Sequence, residues 1–216
     1  MNKEWSELNK TMQQQIKKKN TFSQGVETLF NLRKELMEQI ISFKKTLPNE
    51  AFSAMPYMNA KGYHNKTIAY SLWHVFRIED IVVHTLMKKD EQVFFAGDYE
   101  KKMHTPIITT GNELVKEEIA DFSSKLDISA LYDYIAAVDA LTKAMLKELT
   151  WTDLKTKMTE EDKENIRKLR VVSKDENAVW LIDYWCNKDI QGLVKMPLSR
   201  HWIMHVEAAC RIADKI

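Results

Sequence analysis

The 216 residues carry 32 Lys plus Arg against 31 Asp plus Glu, a formal charge of +1, so the basic excess that phosphate-backbone binding exploits is absent and nucleic acid is not an expected partner. A chain of this length buries a sizeable core within one domain. Cys186 and Cys210 stand alone, without a CxxC or CxH neighbour, which fits reduced thiols in a cytoplasm better than a stapled secreted scaffold. The opening stretch through Lys17, Lys18 and Lys19 is polar and lacks the apolar core of a signal peptide, and no apolar run reaches the roughly 18 to 20 residues of a membrane-spanning helix. A soluble cytoplasmic protein is expected. With 5 Gly and 4 Pro set among plentiful Leu, Met, Lys, Glu and Ala, the expected class is all-α.

In chain order, residues 5–19 have sparse apolar positions and read as a polar helix or arm, packing on the body or on a second subunit. Residues 1–21 are accordingly set apart from a domain over 22–216. Val26, Phe30, Leu32, Leu36, Ile40, Ile41 and Phe43 recur near a 3.6 period and predict the first long helix, stopped by Pro48. Residues 49–65 read as an ordered loop, longer than a mere connection needs. The second helix is expected over 67–88, with Leu72, Val75, Phe76, Val82, Val83 and Leu86 building one broad apolar face. Residues 90–106 read as irregular, and Thr110 as the cap of a short helix to Ser124. A third long helix is expected over 128–149, and a small surface helix after Thr159, whose pairing with Asp162 resembles a helix-start box. The aromatic stretch from Asn177 to Gly192 should pack on the body near the site. Pro197 breaks the chain, and Ser199 is the expected N-cap of a last helix running to Ile216. Four long helices with short extras predict a four-helix bundle.

The chemistry-bearing pattern lies on that last helix. His201 and His205 differ by only about 40° around a helix, so both rings project to one side, one turn apart. Met204, Ala208, Ile212 and Ile216 fall within about 60° of His201, which places the pair in the core-facing stripe. Two buried imidazoles need partners, since an unpaired buried polar group costs roughly 1 to 3 kcal/mol. Each ring can bond a side chain or carbonyl across the bundle, or both can chelate one ion. His74, on the flank of the second helix beside Tyr70 and Ile78, favours the second answer, because an open metal site takes three protein ligands and leaves room for water or substrate. Glu79 stands in the middle of an apolar stripe but about 140° from His74, so it reads as a structural or supporting carboxylate rather than a fourth ligand. His64, in the loop before the second helix, is a candidate proton donor, and Tyr70 and Glu79 are further candidate assistants. His84 and His104 are expected on the surface.

Ser71-Leu72-Trp73-His74-Val75-Phe76-Arg77-Ile78-Glu79, followed far downstream by His201-Trp202-Ile203-Met204-His205, resembles the DinB-like (YfiT-like) superfamily over roughly residues 22–216. His74, Glu79, His201 and His205 match that family's His-x-x-x-x-Glu and HxxxH positions. The resemblance implies a four-helix bundle holding a divalent ion, zinc or nickel, through His74, His201 and His205, often in a homodimer. Its characterised members include thiol S-transferases using low-molecular-weight thiols and a mycothiol-dependent isomerase, and many are called metal-dependent hydrolases. The polar N-terminal arm and the 151–197 insertion depart from that pattern and can cover a pocket. The expected function is therefore a metal-dependent hydrolase or thiol S-transferase acting on a small-molecule substrate. A non-catalytic, stress-related or interaction bundle stabilised by metal is the alternative.

Overall fold

The Asn2 side chain accepts the Glu4 and Trp5 amides at 3.0 and 3.2 Å, satisfying donors that a helix start leaves open, and begins α1 (Lys3–Gln15). The computed structural model describes residues 2–216, with Tyr63 described by its backbone alone. Trp5, Met12 and, just past the helix, Ile16 are buried, and Trp5 joins the main core with Leu32, Leu36 and Trp202. The segment expected as an arm is thus packed on the body.

α2 (Phe22–Thr46) buries Gly25, Leu29, Leu32, Leu36, Ile40 and Phe43 along one stripe, whereas Ile41 is 40 % exposed and Val26 and Phe30 only flank it. Leu47 turns extended before Pro48, as a residue preceding proline does. Gly25 sets how closely α1 approaches. A Cβ there would lie 2.8 Å from the Ile16 backbone nitrogen and 2.5 Å from Ile16 Cγ2. Alanine is the better helix former by about 1 kcal/mol, but a collision with backbone cannot be relieved by a rotamer change. Gly25→Ala is therefore expected to destabilise the protein by about 1 to 3 kcal/mol in urea unfolding. An unchanged or raised midpoint would show that α1 yields freely.

α3 (Ile68–Asp80) starts at Thr67, whose hydroxyl accepts the Tyr70 amide at 3.0 Å. Every residue of it is buried, so it is a central helix rather than one with a single apolar face. Its polar side chains survive there by pairing. Arg77 donates to Gln92 (2.7 Å) and to the Ile108 carbonyl (2.9 Å), and Asp80 accepts Tyr134 and the Val93 and Phe94 amides, each at 2.9 Å. The helix runs on as a π-helix, Ile81–Lys88, ending where left-handed Lys89 donates its amide to the His84 carbonyl, five residues back. His84 is 2 % exposed and donates to Asp90 at 2.6 Å. The surface position expected for it is corrected: Ile81 to Leu86 are all buried, so the helix offers no outward face there, and His84 is satisfied by an acidic partner.

Short helices α4 (Val93–Ala96) and α5 (Tyr99–Lys102) occupy the stretch expected to be irregular. α6 (Glu117–Lys125) begins later than a Thr110 cap would place it, and α7 (Ile128–Glu148) starts at Asp127, which accepts the Ala130 amide at 2.8 Å. α8 (Glu160–Leu169) opens on the reciprocal Thr159–Asp162 box read in the sequence. α9 (Trp180–Cys186) and α10 (Ile190–Lys195) follow, and α11 (His201–Ala213) closes the chain. α8 and α9 form a second core with Ile78, Ile81, Val82 and Leu86, while Trp180 stays 48 % exposed.

The long helices pack in a closed ring: α2 on α11, α11 on α3, α3 on α7, and α7 on α2, with α1 laid along α2. The described chain is all-helical, compatible with a helical bundle. No strand occurs among the described residues, and none of their helices is long and apolar enough to cross a membrane.

Candidate metal centre

Between α10 and α11 the backbone passes through a π turn, Met196–Arg200. Pro197 has no amide hydrogen to give an α-helical ladder, and the turn widens around the gap. The His201 amide bonds the Met196 carbonyl, five residues back, and the Ser199 hydroxyl donates to the Val194 carbonyl at 2.9 Å. Ser199 is therefore not the N-cap expected of it. It sits inside a continuous helical run and spends its hydroxyl on that run's widened turn. The extra residue per turn sets the phase with which α11 presents His201 and His205.

Those two rings lie 4.6 Å apart between centroids, and the His74 ring, on α3, lies 5.0 Å from His201 and 4.7 Å from His205. One nitrogen from each of the three lies within 4.8 Å of the others. A shared ion at about 2.1 Å from each nitrogen needs pairs no more than roughly 4.2 Å apart, so small ring movements suffice to close on one. The three are nearly buried, at 5 %, 8 % and 6 % exposed for His74, His201 and His205, which leaves a narrow opening to solvent. Ile216, counted with this face in the sequence, is 57 % exposed beyond the helix end.

His74 Nδ1 donates to the Thr110 carbonyl at 2.8 Å. Its tautomer is thereby fixed, and the remaining nitrogen, Nε2, carries a lone pair. The Tyr70 ring stacks on His74 at 5.5 Å and 10°, and its hydroxyl donates to the Gly111 carbonyl at 2.9 Å. Two successive carbonyls of one loop thus hold the ring and its neighbour. Gly111 makes that loop possible: it adopts φ +79, and a Cβ would come 3.0 Å from Tyr70 Cε2. The sequence reading missed this loop by assigning Thr110 to a helix cap. The Gly111-Asn112 turn signal was the clue.

Burial pulls His74 down to about 4, with the nearby Lys66 charge adding to burial and the Thr110 bond opposing it. Burial and the neighbouring rings push His201 and His205 well below the ordinary imidazole value. All three are neutral at pH 7, as metal ligands must be. His201 Nδ1 is buried without a hydrogen-bond partner among the described residues. A neutral three-nitrogen set with such a nitrogen fits a metal ion better than a closed hydrogen-bond network.

These shifts set an acid limit for the metal-free protein. The unfolded chain binds protons on its histidines below about pH 6.5, while the folded chain resists doing so until about 4 at His74. Stability is fully present above the unfolded value and is lost as pH falls through this window, by roughly 3 kcal/mol from His74 alone. Denaturant midpoints measured from pH 7.5 to 4 should fall steadily, and His74→Phe should flatten the slope; a flat wild-type profile would contradict it.

Glu79 stands apart from the triad. Arg33 forks onto both of its oxygens at 2.9 and 2.7 Å, and Trp202 Nε1 donates to it at 2.7 Å, so it is a buried structural carboxylate. His64 does not join the triad either; its ring lies 3.2 Å from Arg211 Nη1. His104 is exposed. Burial pushes both Cys186 and Cys210 up to about 11, which leaves neither thiol much thiolate at neutral pH. No protein-family model matches the chain, and no curated protein matches it.

Proposed function

We propose that the chain is a metal-dependent enzyme of the DinB-like superfamily, holding zinc or nickel through His74, His201 and His205 and acting on water or a low-molecular-weight thiol. The observation that carries this reading is the convergence of three neutral imidazoles from two helices within 4.8 Å, one of them locked in tautomer by the Thr110 carbonyl. An ion bound to three neutral nitrogens keeps its full 2+ charge and supplies acidification of a water or thiol at neutral pH. The chain's own part is positional. Thr110 and Tyr70 fix the His74 plane, and the Arg33–Glu79–Trp202 connection fixes α11, where His201 and His205 stand. The low exposure of the three rings limits competition from bulk water. Hydrolysis and thiol transfer share these requirements, and no group in the site separates them.

The test is to load the protein with zinc or nickel and assay an activated ester and a thiol with an electrophile. Turnover that disappears on chelation and returns with metal is expected with one of the two. Its absence with both favours a second reading, in which the ion only stabilises the bundle. The 5–8 % exposure of the three rings is the observation on that side. In that case chelation lowers the melting temperature and small anions leave the bound ion's spectrum unchanged.

A further inference from the structure

A groove of about 1020 Å³ opens between the end of α8 and the start of α9. Arg167, Lys168, Arg170 and Lys174 line it, and no acidic side chain does. Its floor is aliphatic: Val172 and Ile182, at 7 % and 5 % exposed, belong to the second core, and Val179 stands at the rim, 45 % exposed. Three of the seven large apolar side chains that stand exposed among the described residues, Leu169, Val179 and Trp180, fall in this one stretch. Other concavities of the chain mix signs, as where Lys44 shares one with Glu50 and Asp127, or Arg211 shares one with Glu207. A chain of net charge +1 thus gathers four like charges around one concave surface. Cations in the last turn of a helix complement its dipole, which accounts for Arg167 and Lys168. It does not account for Lys174, which lies beyond the C-cap Arg170. Nearby acids are already engaged: Glu164 on Arg167, Glu160 and Asp183 on Lys163, Asp162 on Lys89, and Asp175 on the Asn177 amide. No carboxylate lies within ion-pair distance of Lys168, Arg170 or Lys174 among the described residues. One solvated lysine without a partner is ordinary. Four cations lining one groove over an apolar floor form a surface built for an anion with an apolar part.

We infer that this groove docks an acidic peptide segment of a partner protein, one that carries a large apolar side chain between its carboxylates. Such a segment answers both features at once. Its carboxylates pair with the cations, as acidic motifs pair with basic clusters, and its apolar side chain covers Val172, Ile182 and Val179. A single small anion would meet only part of the groove, which stands at the upper end of the range of about 300 to 1000 Å³ for small-molecule pockets. A lipid surface needs apolar side chains that protrude, whereas Val172 and Ile182 are recessed. Nucleic acid would find no aromatic platform for its bases among the lining residues. The docking groove shares no residue with the histidine centre, so the two stand or fall separately.

The experiment uses the full-length protein and reads the fluorescence anisotropy of the labelled, capped peptide Glu-Glu-Leu-Glu-Glu-Phe-Glu-Glu at low salt. Binding is expected to weaken at least about tenfold when Arg170→Gln and Lys174→Gln are combined, and to return when Arg170→Lys and Lys174→Arg are combined instead. Both side chains are exposed, so circular dichroism should show an unchanged fold in each variant. Raised salt should loosen the complex. The peptide with Gln in place of Glu, or with Ser in place of Leu and Phe, is expected to bind at least about tenfold more weakly than the parent peptide. No binding to wild type at low salt, equal binding to wild type and the double Gln variant, or equal binding of the Ser peptide overturns the inference. Preference of wild type for phosphatidylserine vesicles or a DNA oligonucleotide over the peptide, lost in the double Gln variant, also overturns it and gives the groove to that class of surface.

Discussion

Arg33→Met is expected to cost about 3 to 5 kcal/mol, enough to unfold a large share of a protein whose total stability is of order 5 to 15 kcal/mol. Arg33 is fully buried on α2 and forks onto Glu79 of α3, donates to Asp139 of α7 at 2.8 Å and to the Leu198 carbonyl at 3.3 Å, and lies 4.1 Å above the Trp202 ring of α11. One guanidinium therefore ties the four long helices together. Burial alone would depress its pKa, but Glu79 and Asp139 outweigh burial and hold it above its ordinary value. Methionine fills most of the volume and removes the charge, so two carboxylates remain in a dry core. Asp139 keeps Lys143 at 2.6 Å and Glu79 keeps only the Trp202 indole. Chemical denaturation checks this. A double variant, Arg33→Met with Glu79→Leu, should recover much of the loss, because the uncompensated charge rather than the missing ion pair is the larger cost. A single-variant cost below about 1 kcal/mol would mean that water reaches Glu79.

The same cluster shows what the sequence made legible. Glu79 could be singled out because a carboxylate in the middle of Leu72, Val75, Val82 and Leu86 demands a partner. The partner was hidden: an arginine on an otherwise charged helix reads as surface. Arg33 nonetheless falls four residues after Leu29 and three before Leu36, inside the buried stripe. A cation and an anion each interrupting an apolar stripe on separate helices was the available signal. Helix periodicity was legible wherever one face is buried, as in α2 and α7, and one cap was, the Thr159–Asp162 box of α8. Periodicity misled in α3, where every face is covered, because a helix buried all round has no polar side to define its phase.

The triad was legible for a different reason. The angular separation of His201 and His205 follows from helix geometry alone, and that separation survives the π turn because the turn precedes both residues. His84 was misplaced because Ile81 to Leu86, like α3 before them, are buried on every face, so no side of that helix is surface. The Thr110 and Gly111 carbonyls that position His74 and Tyr70 leave no mark on side-chain identity, since any residue offers a carbonyl. Only the glycine needed for φ +79 betrays that loop.

The second large effect is on metal affinity. Changes to groups that merely orient a ligand typically cost 10- to 100-fold, so removing two of three direct ligands should cost well beyond about 100-fold. His201→Ala with His205→Ala empties the α11 half of the site and leaves His74 held by Thr110 with nothing to chelate with. Both replacements trim nearly buried side chains, and the double variant is expected to stay folded at a cost of about 1 to 3 kcal/mol. Circular dichroism on the same sample separates lost binding from lost fold.

Elemental analysis of protein purified without added metal, run beside the folded His201→Ala, His205→Ala double variant, tests the central claim most directly. About one divalent ion per chain in wild type and a near-complete loss in the variant is the predicted result. A wild type without stoichiometric metal even after loading, or a variant that retains the wild-type content, would contradict it.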